Sequence, residues 1–341
     1  MSLPTPPLAT AAKPEALPSP ERFLDLIVDK LAATELVFRG DLESDVPFVQ
    51  KAGEYLFDGG GKRMRPALLL LSARLLDHDS DEEVTYAAVI ELIHTATLIH
   101  DDIIDRSSLR RGRKTVNELW GNSLTVLLGD WLYTRALQKA LVHGNLAVIR
   151  RLCDATLRMT EGELLAQQRL GAIDLSVDEY FDIVDRKTAH LFGAAAAIPS
   201  LMTPADSEAE VALTRYGKAL GTCFQVVDDM LDFSASEREL GKPVLGDLSD
   251  GKLTLPLILL LPRVDASAHR AIQRVLEDRG FDRTPGGEIL DLVAREGTLE
   301  EAAEIAAAWA ESARSALAGL PTNDAREALE LAPDFVLNRR H

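Results

Sequence analysis

The segment LIHTATLIHDDIID, residues 92–105, joins a strongly apolar run to three aspartates. If this segment is helical, Asp101 and Asp105 lie on one face of the helix, with Asp102 beside them. Like charges at this spacing repel by roughly a few tenths of a kcal/mol when exposed, and by more where water is scarce. The cluster is therefore either a solvated helix end or a site for a divalent cation, which reverses the sign of the interaction.

A second aspartate cluster, QVVDDMLD at 225–232, repeats the same pattern. Asp228 and Asp232 share its spacing and Asp229 is adjacent, again within an apolar helix. Buried carboxylates are costly unless they are paired or bound to metal, so a solvated face explains two such clusters poorly. Two clusters on facing helices would form a site for several hard cations. Mg²⁺ is the natural candidate because it prefers oxygen ligands and is commonly shared with substrate phosphates.

Basic segments supply the opposite charge. GGKRMRP at 60–66 places three cations after a glycine run at a helix start, an arrangement suited to a phosphate or diphosphate. The spacing is not that of a P-loop. RRGRK at 110–114 follows the first aspartate cluster closely. Taken alone, each of these segments also fits a solvated basic surface. Further cations lie mid-helix or in a glycine-containing loop: Lys187, Lys242 and Lys252.

Length and composition restrict the class of protein. The 341 residues suffice for one large domain or two, and the net charge of −17 argues against nucleic acid or an anionic membrane as the main partner. The two cysteines cannot build a disulfide framework, and no apolar run reaches the roughly 18 residues of a membrane span. Residues 1–20 are rich in Pro and Ala and lack signal-peptide features, so we expect a disordered extension and a cytoplasmic protein.

From Glu21 onward the apolar residues recur with helical period, and no stretch shows convincing strand alternation. The pattern predicts a single all-α domain over residues 21–341. We expect a large antiparallel helical bundle surrounding a central cavity, with functional loops at one end. The longer predicted helices cover approximately 82–104, 124–141, 146–165, 177–201 and 206–233.

These motifs resemble those of the trans-isoprenyl (polyprenyl) diphosphate synthases over nearly all of the chain after residue 20. The resemblance rests on GGKRMRP at 60–66, DDIID at 101–105 followed by LRRGR, RKTAHLF at 186–192, FQVVDDMLDF at 224–233 and GK-x-TLP at 251–256. It implies an all-α fold in which two aspartate motifs face each other. They would hold about three Mg²⁺ ions, with Mn²⁺ as an alternative, that bridge the diphosphate of an allylic substrate.

The resemblance also implies roles for individual residues. The main metal ligands would be Asp101, Asp105, Asp228 and Asp232, with Asp102 and Asp229 in support. Isopentenyl diphosphate would be bound by Lys62, Arg65, His94 and Arg111. The allylic substrate would be contacted by Arg110, Lys187, Thr188, Gln225, Lys242 and Lys252, with Lys187 also counted as catalytic. The family usually reads G-K-x-x-G-x-D-L after the second motif, whereas here the second glycine is Gly246, one place later. The shift questions the turn geometry of this loop but leaves its lysine and aspartate in place.

The implied reaction is a Mg²⁺-dependent head-to-tail condensation of isopentenyl diphosphate with an allylic diphosphate, in a homodimeric enzyme. Chain length would be read from the helix face before the first motif. Ala96 and Thr97 are small there and Ile93 is of medium size, whereas short-chain members typically carry an aromatic residue. We therefore predict a medium-to-long all-trans product, such as a quinone side-chain precursor.

Other interpretations remain open at this point. A short-chain farnesyl or geranylgeranyl diphosphate synthase would share every charged motif. A class I terpene cyclase or head-to-head synthase uses aspartate-rich helices but needs no second diphosphate pocket, so GGKRMRP and Arg111 speak against it. A regulatory subunit tends to lose an aspartate motif, and both are complete here. A structural helical scaffold explains neither acidic cluster.

Overall fold

The structure is a computed structural model that describes residues 24–61, 63–202, 204–234 and 244–339. Across these ranges it is almost entirely helical, which confirms the all-α prediction. The predicted N-terminal extension, residues 1–20, lies outside the described residues, as do Lys62 and Lys242. Within the described residues, no helix is both long enough and apolar enough to cross a membrane.

The first half of the chain forms seven of the described helices. They are α1 (Val28–Asp41, after a 3₁₀ turn at Asp25–Ile27), α2 (Pro47–Asp58), α3 (Met64–Leu75), α4 (Glu82–Ile104), α5 (Val116–Trp120), α6 (Asn122–Ala140) and α7 (Leu146–Gln168). A 3₁₀ turn at Leu141–His143 joins α6 to α7. The side chain of Asn145 caps α7 by accepting hydrogen bonds from the backbone N–H groups of Ala147 and Val148.

The second half continues the bundle with shorter elements around one long helix. They are α8 (Val177–Val184), a π-helical turn (Asp185–Ala189), α9 (His190–Ala197), a 3₁₀ turn (Ile198–Leu201), α10 (Ser207–Ser234), α11 (Gly246–Ser249), α12 (Leu255–Leu260), a 3₁₀ turn (Leu261–Arg263), α13 (Ala266–Asp278), α14 (Gly286–Glu296), α15 (Thr298–Ala316) and α16 (Asp324–Leu337).

A short antiparallel ladder interrupts the helices between α4 and α5. Strands β1 (Leu109–Arg110) and β2 (Arg113–Lys114) pair with Leu109 opposite Lys114. The sequence predicted only a basic loop here, because two residues are too few to show alternation. Gly112 and Arg111 both take positive φ at the turn, which places the arginines on a defined hairpin.

Helix α4 runs through the centre of the bundle and delivers the first aspartate cluster. It is 23 residues long, and α1, α3 and α6 pack around it. Ile90, Leu92 and Ile93 are fully buried although they project in different directions. A helix that is apolar on nearly all sides is stable only in a core, so its polar C-terminal end is held in a fixed position above that core.

Helix α10 carries the second cluster and packs closely against α9 and α15. Gly193 of α9 faces Gly217 of α10, and a Cβ atom added at Gly217 would lie 2.4 Å from the carbonyl oxygen of Phe192. On the other side, α15 presents four fully buried alanines, Ala302, Ala306, Ala310 and Ala313. Small residues on both sides let α10 sit deep between its neighbours.

The segment predicted as one helix over 177–201 is helical throughout, although not as a single α-helix. A π-helical turn at Asp185–Ala189 separates α8 from α9. Such turns add a residue to the helical register and are frequent at functional sites. Gly162 of α7 allows the turn to approach closely, since a Cβ atom there would lie 2.6 Å from the backbone nitrogen of Lys187.

The contact at Gly217 gives a stability prediction. Gly217→Ala forces the backbone of α9 to move, and we expect a loss of about 1–3 kcal/mol in the free energy of unfolding. Gly40→Ala is the control, because Gly40 lies in helix α1 with no atom near its missing Cβ. The control should gain roughly 0.5–1 kcal/mol from helix propensity. Thermal unfolding of both variants measures the difference, and equal behaviour would contradict the packing argument.

Candidate active site

The aspartates of the first motif have different environments at the end of α4. Asp102 is buried, and its Oδ1 accepts a hydrogen bond from Nε of Arg110 at 2.8 Å. Asp105 accepts a hydrogen bond from Nζ of Lys252 at 2.7 Å. Burial raises the pKa of Asp101 to about 6, with Lys187 acting in the opposite direction. Asp101 thus keeps an incompletely compensated carboxylate, which favours the binding of a cation.

The second motif is anchored more firmly. Asp229 is buried and accepts hydrogen bonds from the Tyr180 hydroxyl at 2.6 Å and from Nε2 of Gln225 at 2.8 Å. Burial raises the pKa of Asp229 to about 8. Thr188 extends the network by donating to Oε1 of Gln225 at 2.8 Å. This network fixes the orientation of the Asp229 carboxylate within the second motif.

Asp228 and Asp232 stand on either side of this network. Asp228 is half exposed, and Nη2 of Arg339 lies 3.4 Å from its Oδ1. Asp232 is buried and accepts hydrogen bonds from the backbone N–H groups of Gly246 at 3.0 Å and Asp247 at 3.1 Å. Asp232 therefore also fixes the start of α11.

One cavity brings the second motif together with the predicted lysines. It is lined by residues from α7, α8, the π-helical turn, α10 and the segment around Lys252, among them Glu163, Lys187, Gln225, Asp228, Asp247 and Lys252. Burial lowers the pKa of Lys187, but the charges of Asp101, Glu163 and Asp105 outweigh burial and raise it. Lys252 bonds to Asp105, and the charge of Asp101 raises the pKa of Lys187. Because both lysines also line the cavity of the second motif, they connect the two aspartate motifs.

A separate group of cations surrounds His94. Burial lowers the pKa of His94 well below its ordinary value, and the charges of Arg65 and Arg111 lower it further. The imidazole is therefore neutral at physiological pH. Burial lowers the pKa of Arg65 to about 10, and its Nε is buried with no hydrogen-bond partner among the described residues. A cationic pocket with an unused donor is suited to an anion with many oxygens.

Two guanidinium groups, one near His94 and one near Asp228, stack on aromatic rings. Arg65 lies 4.4 Å from the ring centroid of Phe192, and Arg339 lies 4.3 Å from that of Phe224. The two rings pack against each other with centroids 5.5 Å apart. Stacking of this kind restricts the guanidinium while leaving its edge available for hydrogen bonds.

Arg63 has a structural role although it lies in the same motif. Its guanidinium donates hydrogen bonds to Glu35 at 2.7 Å and to Glu91 at 2.5 Å, and it stacks on Phe38. Its backbone adopts a positive φ of 48° at the start of α3. Arg63 therefore holds the start of α3 while it also lines the pocket that contains His94.

The predicted chain-length residues lie on α4, one to two turns before the first aspartate motif. Ile93 and Ala96 are buried, and Thr97 is partly exposed. The Thr97 hydroxyl donates to the backbone oxygen of His94 at 2.8 Å, so this polar group is satisfied within the helix.

Several residues of the site were not predicted from the sequence. Glu163 and Tyr180 contact predicted residues from other helices, and Arg339 reaches Asp228 from near the end of the chain. No short motif marks them, because each acts through a contact between distant segments. The capping box at Ser176 and Glu179 fixes the start of α8 and thereby the position of Tyr180. A capping box predicts where a helix begins, but it does not predict which side chain Tyr180 contacts.

Comparison with known proteins identifies the family. A sequence model described as polyprenyl synthetase matches residues 46–291. The chain belongs to this family. Its members are prenyltransferases, and the class of reaction predicted from the sequence is confirmed.

The similarity extends over almost the whole chain. The chain is 38% identical over 309 residues to octaprenyl diphosphate synthase of Escherichia coli K12, covering 91% of this chain and 95% of that protein. It is 35% identical over 295 residues to a short chain isoprenyl diphosphate synthase of Methanothermobacter thermautotrophicus, covering 85% and 90% respectively. The crystal structure of polyprenyl synthase from Caulobacter crescentus CB15, complexed with calcium and isoprenyl diphosphate, superposes with a TM-score of 0.91 at 35% identity. That alignment covers 96% of this chain and 100% of that one.

In this polyprenyl synthetase the shifted glycine has a definite structural outcome. Leu245 occupies the place of the usual glycine and adopts a left-handed conformation, with φ of 61°. The backbone N–H of Leu245 donates to the carbonyl oxygen of Asp232 at 2.9 Å, and its side chain is buried. The turn geometry is therefore kept, with a leucine in a conformation that typically costs about 1–2 kcal/mol. Burial of that side chain offsets the strain.

The donor set fits a hard divalent cation. The carboxylates are oxygen donors, and Asp101 is buried with a charge that Lys187 compensates only in part. Among the described residues, however, no three or more acidic, His or Cys side chains already form a metal-binding group. Asp105 and Asp232 instead bond to Lys252 and to the α11 backbone. Metal binding by these aspartates therefore requires some of these bonds to change.

The raised pKa of Asp101 gives a pH-dependent prediction. Its folded pKa of about 6 exceeds the ordinary value near 4, so the native state loses stability as pH rises through this window. In EDTA at pH 7.5, Asp101→Asn should therefore raise the free energy of unfolding by roughly 1–2 kcal/mol. The gain should shrink as the pH is lowered to about 4.

Asp105→Asn is the matched control, because Lys252 already neutralises that carboxylate and its loss leaves the lysine unpaired. Thermal unfolding at both pH values distinguishes the two variants. A similar gain in the free energy of unfolding for both variants would contradict the raised pKa of Asp101. A gain for Asp101→Asn that persists on acidification would contradict it as well.

Proposed function

We propose that this protein catalyses the head-to-tail (1'-4) condensation of isopentenyl diphosphate with an allylic diphosphate. The product is a medium-to-long all-trans polyprenyl diphosphate, the class from which quinone side chains are made. The observation that supports this best is the pairing of two anion sites. One cavity is lined by aspartates and two lysines, and a separate pocket is lined by His94 and several arginines, among them Arg110 and Arg111. A condensation of two diphosphates needs both sites.

The acidic cavity would take the allylic substrate together with Mg²⁺ or Mn²⁺. Asp101, Asp105, Asp228 and Asp232 are the proposed ligands, and bound divalent ions would neutralise charge on the diphosphate leaving group. Lys187 and Lys252 are placed to donate hydrogen bonds to the same diphosphate. In the structure both lysines are held by carboxylates of this cavity, Glu163 and Asp105 respectively.

The arginine pocket would take isopentenyl diphosphate. Arg65 offers its unused Nε, and Arg111 is held on the hairpin by a hydrogen bond from its Nη1 to the backbone oxygen of Gly60. A neutral His94 can donate a hydrogen bond without adding charge. Arg110 differs from its neighbour because it is bonded to Asp102, which suits a role at the boundary between the two sites.

The apolar face of α4 protects the reacting carbons. Ionisation of the allylic substrate generates a carbocation that water would quench, so the wall must be dry. Ile93 and Ala96 are apolar, buried and without a nucleophile, and would form part of such a wall. The described site contains no side-chain dyad suited to act as base, and we propose that the released diphosphate accepts the proton lost from the condensed product.

Product length is the finer part of the proposal. Ala96 and Thr97 are small where short-chain members of the family typically carry an aromatic residue, which favours elongation beyond the shortest products. The similarity to an octaprenyl diphosphate synthase supports this reading, whereas the archaeal relative carries a short-chain name. The competing short-chain function therefore differs only in where elongation stops.

A single assay tests this function. Purified protein is incubated with Mg²⁺, isopentenyl diphosphate and a short allylic primer, and the products are sized by mass spectrometry. We expect medium-to-long polyprenyl diphosphates, and we expect EDTA or Asp101→Ala to abolish elongation. Asp282→Ala, at an exposed aspartate outside the cavity, is the control and should keep the activity.

Each contrary outcome identifies a different error. A farnesyl or geranylgeranyl product would overturn the length assignment and keep the reaction. Elongation that persists in EDTA would refute the metal assignment. Consumption of the allylic substrate without isopentenyl diphosphate would favour a terpene cyclase. Activity that appears only with a second protein would favour a regulatory subunit.

We also propose that the protein works as a homodimer. Helices α6 and α7 expose large apolar side chains, including Leu124, Leu127, Leu157 and Leu164, of which Leu127 is 62% exposed. Consecutive antiparallel helices with such side chains form a surface that a second copy would cover. A reducing compartment such as the cytoplasm suits the free thiols of Cys153 and Cys223.

Light scattering tests the dimer. The protein should have twice the chain mass of 37.2 kDa, and Leu127→Asp should shift it toward one chain mass. Leu36→Asp is the control, because Leu36 is at least as exposed, at 71%, but lies on α1. A monomeric wild-type protein, or a dimer unaffected by Leu127→Asp, would contradict this interface.

A further inference from the structure

Glu163 of α7 contacts a residue of the predicted site, although Glu163 belongs to none of the motifs identified in the sequence. Its Oε2 forms an ion pair with Nζ of Lys187, and its Oε1 accepts a hydrogen bond from Nε2 of Gln167 at 3.0 Å. The side chain of Glu163 is 15% exposed and that of Lys187 is 30% exposed. A pair in this position is shielded from water more than a surface pair, so its geometry is held more firmly.

The backbone is shaped to form this contact. Lys187 lies in the π-helical turn, and the turn packs against α7 beside Glu163. Gly162 makes the approach feasible, because any side chain there would collide with the backbone nitrogen of Lys187. The residue before Glu163 thus admits the turn, and Glu163 itself binds the lysine that the turn carries.

The ion pair also determines which carboxylate binds the ammonium group of Lys187. Asp101 and Asp105 are close enough for their charges to stabilise the ammonium group, together with Glu163. If Glu163 were neutral, the nearest anionic partners of Lys187 would be aspartates that the proposed function assigns to metal. A lysine bonded to Asp101 would compete directly with a divalent cation.

We propose that Glu163 is a positioning residue of the reaction. It holds the Lys187 ammonium at the allylic diphosphate and keeps it away from Asp101, so that Asp101 stays available for metal. This role rests on the proposed function. The ion pair of Lys187 with Glu163 differs from that of Lys252, because the partner of Lys252, Asp105, belongs to the first motif itself. Lys252 must change partner when Asp105 binds metal, whereas Lys187 can keep Glu163 throughout.

Glu161 provides a matched control on the same helix. It lies two residues before Glu163 and forms an ion pair with Arg186, the residue before Lys187. The pair of Glu161 and Arg186 is at the same junction of α7 and the π-helical turn, but Glu161 does not line the cavity. Glu161→Gln therefore removes a comparable ion pair from the same backbone contact without touching Lys187.

The test compares Glu163→Gln with Glu161→Gln in two measurements. Binding of Mn²⁺ in the presence of inorganic diphosphate is followed through the electron paramagnetic resonance signal of free Mn²⁺, without turnover. Glu163→Gln should weaken Mn²⁺ binding roughly 10- to 100-fold, the usual effect of removing an orienting partner. In the elongation assay it should lower kcat while the KM for isopentenyl diphosphate stays within about twofold, because Arg65 and Arg111 are untouched.

Glu161→Gln should change neither measurement by more than about twofold. Glu163→Asp retains the charge and should recover part of both the binding and kcat, which excludes a general packing effect. It also provides the test should Glu163→Gln fold poorly, as judged from its thermal unfolding midpoint.

Two outcomes would overturn the proposal. One is a Glu163→Gln protein that binds Mn²⁺ and elongates like the wild type. The other is equal losses in the Glu161 and Glu163 variants, which would indicate a structural role at the helix junction. A wild-type protein that binds Mn²⁺ and diphosphate but fails to elongate would refute the proposed function instead, and the binding comparison would still decide the role of Glu163.

Discussion

The desolvation of carboxylates inside apolar helices constrains the whole site. Burial raises the pKa of Asp101 to about 6 and that of Asp229 to about 8, so each charge needs a partner close by. The fold provides these partners unevenly. Asp229 receives two hydrogen bonds from neutral groups, and Asp105 receives a lysine. The site therefore retains uncompensated negative charge at Asp101, whereas Asp105 must release Lys252 before it can bind a cation.

Close approach of backbones makes this arrangement rigid. Gly217 lets α10 contact α9, and Gly162 lets the π-helical turn contact α7. Each contact brings a functional segment, the second aspartate motif or Lys187, to a fixed distance from a neighbouring helix. Because both rely on the absence of a Cβ atom, the position of charged groups depends on residues that carry no charge.

The sequence predicted much of this molecule because its strongest signals are local. Helical periodicity and the spacing of Asp101 and Asp105 within one helix are properties of contiguous segments. Tyr180 and Glu163 could not be found in this way, since their function depends on partners far along the chain, Asp229 and Lys187. The π-helical turn escaped for a different reason: its sequence has ordinary helical character, and the extra residue is imposed by packing against Gly162.

Leu245 has a consequence for how the loop after the second motif can move. Its left-handed backbone is unfavourable alone and is offset by burial of its side chain beside Gly286. Partial withdrawal would lose the burial and keep the strain, so intermediate positions are the least stable. Withdrawal of the segment from Leu245 to Asp247 would therefore lose the burial of Leu245 and the hydrogen bonds to Asp232 together. A glycine at this place would have neither the strain nor the buried side chain, and the hydrogen bonds to Asp232 alone would hold the segment.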